Sequence, residues 1–286
     1  MNINKWLEKN TESLSGKRIA LSGSTGGIGK ELCRYLLKLG ASLALIDRNQ
    51  KRSDDLIKIL KSEFSSPDII QIIADMEDMN SVKSACEYLE SMEIYALILN
   101  AGAYSIPRYK CTTGYDNVFQ INFVSPYYMA RRLEGHVKKI VAVGSIAHNY
   151  SHVHENDIDF AQEKKASLVY GNSKRYLTYS LLAAFESTPE KLTIAHPGVT
   201  FTGITNHYPR LIFSIIKHPM KVIFMKPKSA CLSILLGIFV HTENSSWIGP
   251  SLFDIWGKPK KKRLTTASEK EQKFICQTAE RIYREL

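Results

Sequence analysis

No two of the five cysteines form a C-x-x-C pair; Cys33, Cys86, Cys111, Cys231 and Cys276 are scattered. An odd, dispersed set argues against a disulfide framework and a thiolate zinc site, and fits a reducing compartment. The histidines, His148 and His196 included, have no ligand spacing, so no metal is expected. The longest apolar run, ACLSILLGIFV (230–240), is too short to span a bilayer. The opening MNINKWLEKN is too polar for the apolar core of a secretory leader. A cytoplasmic setting is therefore expected. There is no G-x-S-x-G elbow, which argues against a serine hydrolase. Repeats, low-complexity tracts and linkers are also missing.

What is there is an ordinary globular composition: 286 residues, 44% apolar and 23% charged. Such a chain can bury a sizeable core without staples. The net charge is +10, with its clearest run at GKPKKKR (257–263). No aromatic residues interleave with that run, so nucleic-acid binding is not expected and a solvated loop is the simplest reading. Together with FSIIKHPMKVIFMK (213–226), it keeps open peripheral contact with an anionic membrane.

Apolar, β-rich runs alternate with helical patterns. Strands are predicted at 18–22, 42–47, 69–73, 96–99, 138–143, 192–195 and 251–256. A first helical stripe runs through Ile28, Leu32, Leu36 and Leu39, and Gly40 ends it. Further helices are predicted over 55–64, 80–92, 115–132, 168–186, 229–239 and 268–286. Continuous apolar strands separated by helices predict an α/β fold: a doubly wound parallel sheet in three layers, as one domain over 1–286. The segment 203–228 breaks the rhythm and is expected to form a small helical lid over a site.

The stretch SGSTGGIG (22–29) lies between the first strand and the first helix. Gly23, Gly27 and Gly29, with Ser24, Thr25 and Ile28 among them, permit a tight turn that approaches a phosphate. The helix N-terminus then offers free N–H groups and partial positive charge. A nucleoside-triphosphate P-loop fits poorly, because Ser24 replaces the first glycine and Glu31 replaces the magnesium-binding hydroxyl. Asp47, ending the second strand, can accept hydrogen bonds from an adenosine ribose and would repel a 2′-phosphate. That favours NAD. Arg48 beside it could hold the phosphate instead, which keeps NADP open.

In YGNSK (170–174), Tyr170 and Lys174 fall one helical turn apart on one face. Bringing a phenol from its usual pKa of about 10 to neutrality takes roughly 4 kcal/mol. A cation about 4–5 Å away supplies roughly 3–4 kcal/mol at an effective dielectric near 20. Lys174 is therefore expected to lower the Tyr170 pKa and make it an acid and base near neutral pH.

In this order, the motifs resemble the short-chain dehydrogenase/reductase family, in its shorter, single-domain branch. Gly23, Gly27 and Gly29 match its T-G-x-x-x-G-x-G loop, with Ser22 for the threonine. Asn100-Ala101-Gly102 match its N-A-G. Asp75, followed by Met76, falls where the family sets an acid against the adenine. Asn122 matches its helix asparagine, Ser145 its strand-closing serine, and Tyr170 and Lys174 its Y-x-x-x-K. Pro197-Gly198, with Thr202, match its P-G-x-V-x-T turn, and Thr200 stands where valine is common. The similarity covers roughly 17–202. The stretch between Ser145 and Tyr170 and HPGVTFTGI (196–204) are similar to retinol-dehydrogenase-like members.

The resemblance implies an NAD(P)-dependent oxidoreductase interconverting an alcohol and a carbonyl. Tyr170 would exchange the proton, Ser145 would hold the substrate oxygen, and Lys174 the nicotinamide ribose. Asn122 would hold a water leading to Lys174, and Thr202 with the Pro197-Gly198 turn would orient the carboxamide. It also implies a homo-oligomer built through the helices carrying Asn122 and Tyr170. Apolar residues in 203–228 hint at an apolar small-molecule substrate. The alternatives are a cofactor-binding regulatory protein without turnover and an extended dehydrogenase acting on nucleotide sugars. The glycine spacing argues against the latter.

Overall fold

The computed structural model describes residues 2–200, 225–240, 245–264 and 266–286. Thr202 and the lid segment up to residue 224 lie outside them. The strands are β1 (Arg18–Ser22), β2 (Ser42–Asp47), β3 (Ile69–Ile73), β4 (Ile94–Leu99), β5 (Val137–Val143), β6 (Leu192–Ala195), β7 (Ser246–Leu252) and β8 (Trp256–Arg263). They form one eight-stranded sheet in the order β3-β2-β1-β4-β5-β6-β7-β8, parallel except for the last pair. Strand order reverses between β1 and β4, and the crevice at such a switch point is where doubly wound sheets bind ligands.

The continuous apolar strands resolve into two cores by simple alternation. Ile19, Leu21, Leu43, Leu45, Ala96, Ile98, Val141 and Val143 face one side. Ala20, Ala44, Ile46, Leu97, Leu99, Ile140 and Ala142 face the other. Burial on both faces is why the central residues of these strands run continuously apolar. The first core is covered by α1 (Ile3–Asn10), α2 (Gly27–Lys38), α3 (Gln50–Glu63) and α7 (Pro227–Phe239). The second is covered by α4 (Met79–Glu90), α5 (Asn117–Arg132), α6 (Ala166–Ala184) and α8 (Glu269–Glu285).

Several details differ from expectation. The predicted helix 115–132 is not regular: α5 contains a π-helical turn at Gln120–Val124. There the Asn122 side-chain amide donates to the Val118 carbonyl at 2.8 Å, inserting a side chain into the backbone ladder. The predicted strand 251–256 instead spans a hairpin: Ser251 and Leu252 end β7, Trp256 begins β8, and 253–255 form the turn. Phe253 and Asp254 adopt φ of 52° and 57°, and Phe253 is 81% exposed. The basic run, expected as a loop, is edge strand β8, paired as Trp247↔Lys262 and Gly249↔Lys260. β7 supplies its backbone partners, and lysines with Pro259 on an outer edge discourage pairing with another chain. Helix α1 was not predicted; Trp6 and Leu7 anchor it to the core.

Helix α8 lies on α5 and α6, the helices that the resemblance assigns to subunit contacts. Arg131 pairs with Glu280 at 2.7 Å, and the Tyr283 ring packs against Tyr127 and Tyr128. Among the described residues no helix is long and apolar enough to cross a membrane. Ile275 is fully buried where α8 meets the core, so Ile275→Ala is expected to cost about 2–5 kcal/mol. Urea unfolding checks this, and a loss under about 0.5 kcal/mol, the ordinary surface value, would mean α8 is not docked.

Candidate active site

The loops after β1, β4 and β5 lie at the C-terminal ends of the strands, and the first two are tied together through Ser22 and Asn100. Ser22 Oγ accepts from the Asn100 and Ala101 amides at 3.1 and 3.0 Å. Asn100 Nδ2 donates to the Ser22 and Gly23 carbonyls, both at 3.0 Å. The glycine loop thus sits against Asn100-Ala101-Gly102.

At the start of α2 the capping position is Gly26, with no side-chain cap. The amides of Gly27, Ile28 and Gly29 therefore begin the helix without a protein acceptor from a cap, as an anion site requires. Gly29 permits this close return of the chain. A Cβ there would lie on the Gly23 carbonyl oxygen and 2.7 Å from Ser24 Cα.

Asp47 is 3% exposed and turned into this loop. Its carboxylate accepts from Ser24 Oγ, from Thr25 N and Oγ1 at 3.1 Å each, and from Ser53 Oγ at 3.3 Å. Arg48 points outward, its side chain 62% exposed, and lies 3.5 Å from Glu77. Glu77 also accepts from the Tyr109 hydroxyl. Asp75 Oδ1 accepts from the Glu77 amide at 3.0 Å, so this carboxylate organises its own turn. Met76 is buried, and its carbonyl accepts from Ser125 Oγ at 2.6 Å.

Ser145 follows β5 and caps the 3-10 helix Ile146–Tyr150, its Oγ accepting from Ala147 N at 3.2 Å. It is near enough to Tyr170 to act on the phenol, favouring its ionised form. Gly171 allows this approach, because a Cβ there would meet Ser151 Oγ at 2.5 Å and the Ala147 carbonyl oxygen at 2.6 Å. Lys174 is 2% exposed, donates to the Val143 carbonyl at 2.8 Å, and lies 5.8 Å from the Tyr170 ring centroid. Asn122 is fully buried. Its amide donates to the Ala103 and Val118 carbonyls, both at 2.8 Å, and accepts from Ala103 N at 3.1 Å. It braces the loop after β4.

The electrostatics depart from the simple helical-turn argument. Burial pushes the Tyr170 phenol up to about 12; the neighbouring Ser145 hydroxyl opposes this and nearby Tyr104 adds to it. Burial pushes Lys174 down to about 7. Desolvation favours the neutral form of both groups, so the expected lowering of the phenol does not appear. An attraction across 5.8 Å is worth only about 3 kcal/mol at an effective dielectric of 20, and it requires a charged lysine.

Thr200 forms an isolated parallel bridge to Met225. Pro197 and Gly198 are buried beside it, with Gly198 at φ 83°. Tyr104 was not anticipated. Its ring stands edge-on to Tyr170 at 5.4 Å, and its position two residues beyond Gly102 was the available signal. Among the described residues no cluster of His, Cys, Asp or Glu could hold a metal.

Comparison with known proteins bears on the fold and the family. A model of short chain dehydrogenases matches residues 17–156. Retinol dehydrogenase 14 of Mus musculus is 26% identical over 214 residues, covering 68% of this chain and 64% of that protein. Polyprenol dehydrogenase of Homo sapiens is 24% identical over 207 residues, covering 66% of this chain and 63% of that one. The chain therefore spans less than two thirds of these relatives' length. A putative uncharacterized protein of Mycobacterium Paratuberculosis superposes with a TM-score of 0.73 at 16% identity, over 96% of this chain and 95% of that one. A Pseudomonas aeruginosa RhlG/NADP active-site complex gives a TM-score of 0.59 at 20% identity, over 80% of this chain and 91% of that one. Residues 17–156 thus match the short-chain dehydrogenase/reductase family.

The close return at Gly29 makes Gly29→Ala a test of the loop. It is expected to destabilise the fold by about 1–3 kcal/mol through overpacking. An unchanged thermal midpoint would show that the turn relaxes freely.

Proposed function

We propose that this chain is an NAD(P)-dependent oxidoreductase that interconverts an alcohol and a carbonyl. The observation that carries the reading is the cluster at the C-terminal ends of the strands. Ser145 lies beside Tyr170, Lys174 is one turn further on, and the uncapped glycine-loop helix faces the same crevice. The dinucleotide fits that crevice. The amides of Gly27, Ile28 and Gly29 would take its pyrophosphate, with Ser24 and Thr25 shaping the loop. Asn100, Ala101 and Gly102 would floor the middle, and Asp75 and Met76 would flank the adenine. Pro197, Gly198, Thr200 and Thr202 would border the carboxamide.

When bound, the nicotinamide supplies or takes the hydride. In the reducing direction Tyr170 gives its hydroxyl proton to the carbonyl oxygen, and Ser145 orients that oxygen. Lys174 donates to Val143 and, as an ammonium with three N–H groups, keeps capacity for the ribose hydroxyls. Asn122 holds the loop that confines Lys174. The Tyr104 ring offers an apolar wall beside Tyr170, which suits an apolar substrate such as the retinoids and polyprenols named for the relatives. α8 covers part of the face of α5 and α6, so an oligomer through those helices would include α8 in its contact.

The choice of dinucleotide turns on Asp47 and Arg48. The NAD preference expected from Asp47 needs its carboxylate at the ribose, yet four hydrogen bonds hold it inside the loop. Arg48 is the outward charge, which supports acceptance of NADP as well. Titration with NADH and NADPH, followed by nicotinamide fluorescence, is expected to show both binding. Arg48→Ala should weaken NADPH selectively, by about tenfold for one charge-assisted contact of ~1.4 kcal/mol. Equal effects on both would remove Arg48 from phosphate recognition, and binding of neither would overturn the dehydrogenase reading.

Turnover is tested with retinal and with nonanal. Tyr170→Phe is expected to lower kcat by about 100-fold or more while leaving cofactor affinity near that of the parent. A parent that binds cofactor but reduces no carbonyl would favour a regulatory protein of the same fold.

A further inference from the structure

We propose that Arg175 and Glu271 are positioning residues for the reaction proposed above, and that this buried pair holds the Ser145 turn against Tyr170. The inference rests on that functional reading. Arg175 directly follows Lys174 on α6, and its side chain is 0% exposed. Its guanidinium donates from Nε to Glu271 Oε1 at 2.6 Å and from Nη2 to Glu271 Oε2 at 2.5 Å. Nη1 donates to the His148 carbonyl at 2.7 Å, and Nη2 also to the Thr266 carbonyl at 2.7 Å.

The partners make this more than an anchor for α8. His148 lies in the 3-10 turn that Ser145 caps. Its amide bonds to the Ser145 carbonyl at 3.1 Å, and its ring Nδ1 lies 2.5 Å from the same oxygen. Just past the turn, Glu271 Oε1 accepts from Val153 N at 3.1 Å. The turn between Ser145 and Val153 is thus held at one point by Arg175 and at its far end by Glu271. Gly171, on the same helix, seats it against Tyr170. A buried ion pair is often no better for stability than apolar residues of the same volume. What apolar side chains would not provide is a fixed hydrogen-bonded geometry at the His148 carbonyl and the Val153 amide.

The test compares parent, Glu271→Gln, Arg175→Met and Ile275→Ala. Ile275→Ala loosens α8 without touching the pair. Reduction of retinal and nonanal, cofactor affinity, and amide hydrogen exchange over 145–153 are measured in each. Glu271→Gln and Arg175→Met are expected to lower kcat by about 10- to 100-fold, as a small misplacement of reacting groups does, with cofactor affinity unchanged. Exchange over 145–153 should quicken in both, and Ile275→Ala should keep the parent kcat. If Arg175→Met fails to fold, Glu271→Gln, which keeps the side-chain volume, carries the comparison alone. Parent-like kcat in a folded pair variant, or a loss in Ile275→Ala as large as in Glu271→Gln, would overturn the proposal. So would unchanged exchange over 145–153. A parent that reduces neither aldehyde would defeat the functional reading, while quickened exchange in the pair variants would still support the clamp.

Discussion

A buried amine needs a partner, and Lys174 finds it in the Val143 carbonyl. That single bond fastens α6 to the end of β5. Tyr170 is then carried to the Ser145 turn, and the turn can close only because position 171 is glycine. Asn122 and Gly102 fill the other side of the lysine. A Cβ on Gly102 would lie 2.8 Å from Asn122 Oδ1 and 3.8 Å from Lys174 Nζ. The crevice is therefore built around a desolvated amine, and its neighbours are set by the need to satisfy it.

The same desolvation shapes the chemistry. Lys174 sits near about 7 and Tyr170 near about 12, so both tend to neutral forms. Proton exchange at Tyr170 then depends on what shares the crevice and on Ser145, which favours the ionised phenol. This makes the placement of the Ser145 turn matter for reactivity, and links the deep Arg175–Glu271 pair to the surface where substrate would enter. The cofactor end follows a similar logic. Asp47 is an acid held by four donors, while the charge that meets solvent at that strand end belongs to Arg48.

Much of the fold was legible because its signals are local. Alternating apolar strands and helical stripes predicted the order of elements from β1 to β6 to within a few residues. The failures have physical causes. β8 carries Lys258, Lys260, Lys261, Lys262 and Arg263, and only the long-range partner β7 makes such a sequence a strand. Leu252 and Phe253 read as strand interior, but Leu252 is the exposed end of β7 and Phe253 lies exposed on the turn that follows. The charges of α1 hid its short apolar stripe, which means something only against α7.

For the candidate site, the sequence determined residue types and spacings: the glycine loop, Asn100-Ala101-Gly102, Ser145, and Tyr170 one turn from Lys174. These follow from helix and turn geometry, which chain-local sterics set. Tertiary structure decided the rest. It turned Asp47 inward, stood Tyr104 against Tyr170, widened α5 at Asn122, and brought Glu271 across 96 residues of chain to Arg175. It also set the direction of the pKa shifts, because burial is a property of everything packed around a group and no spacing along the chain encodes it.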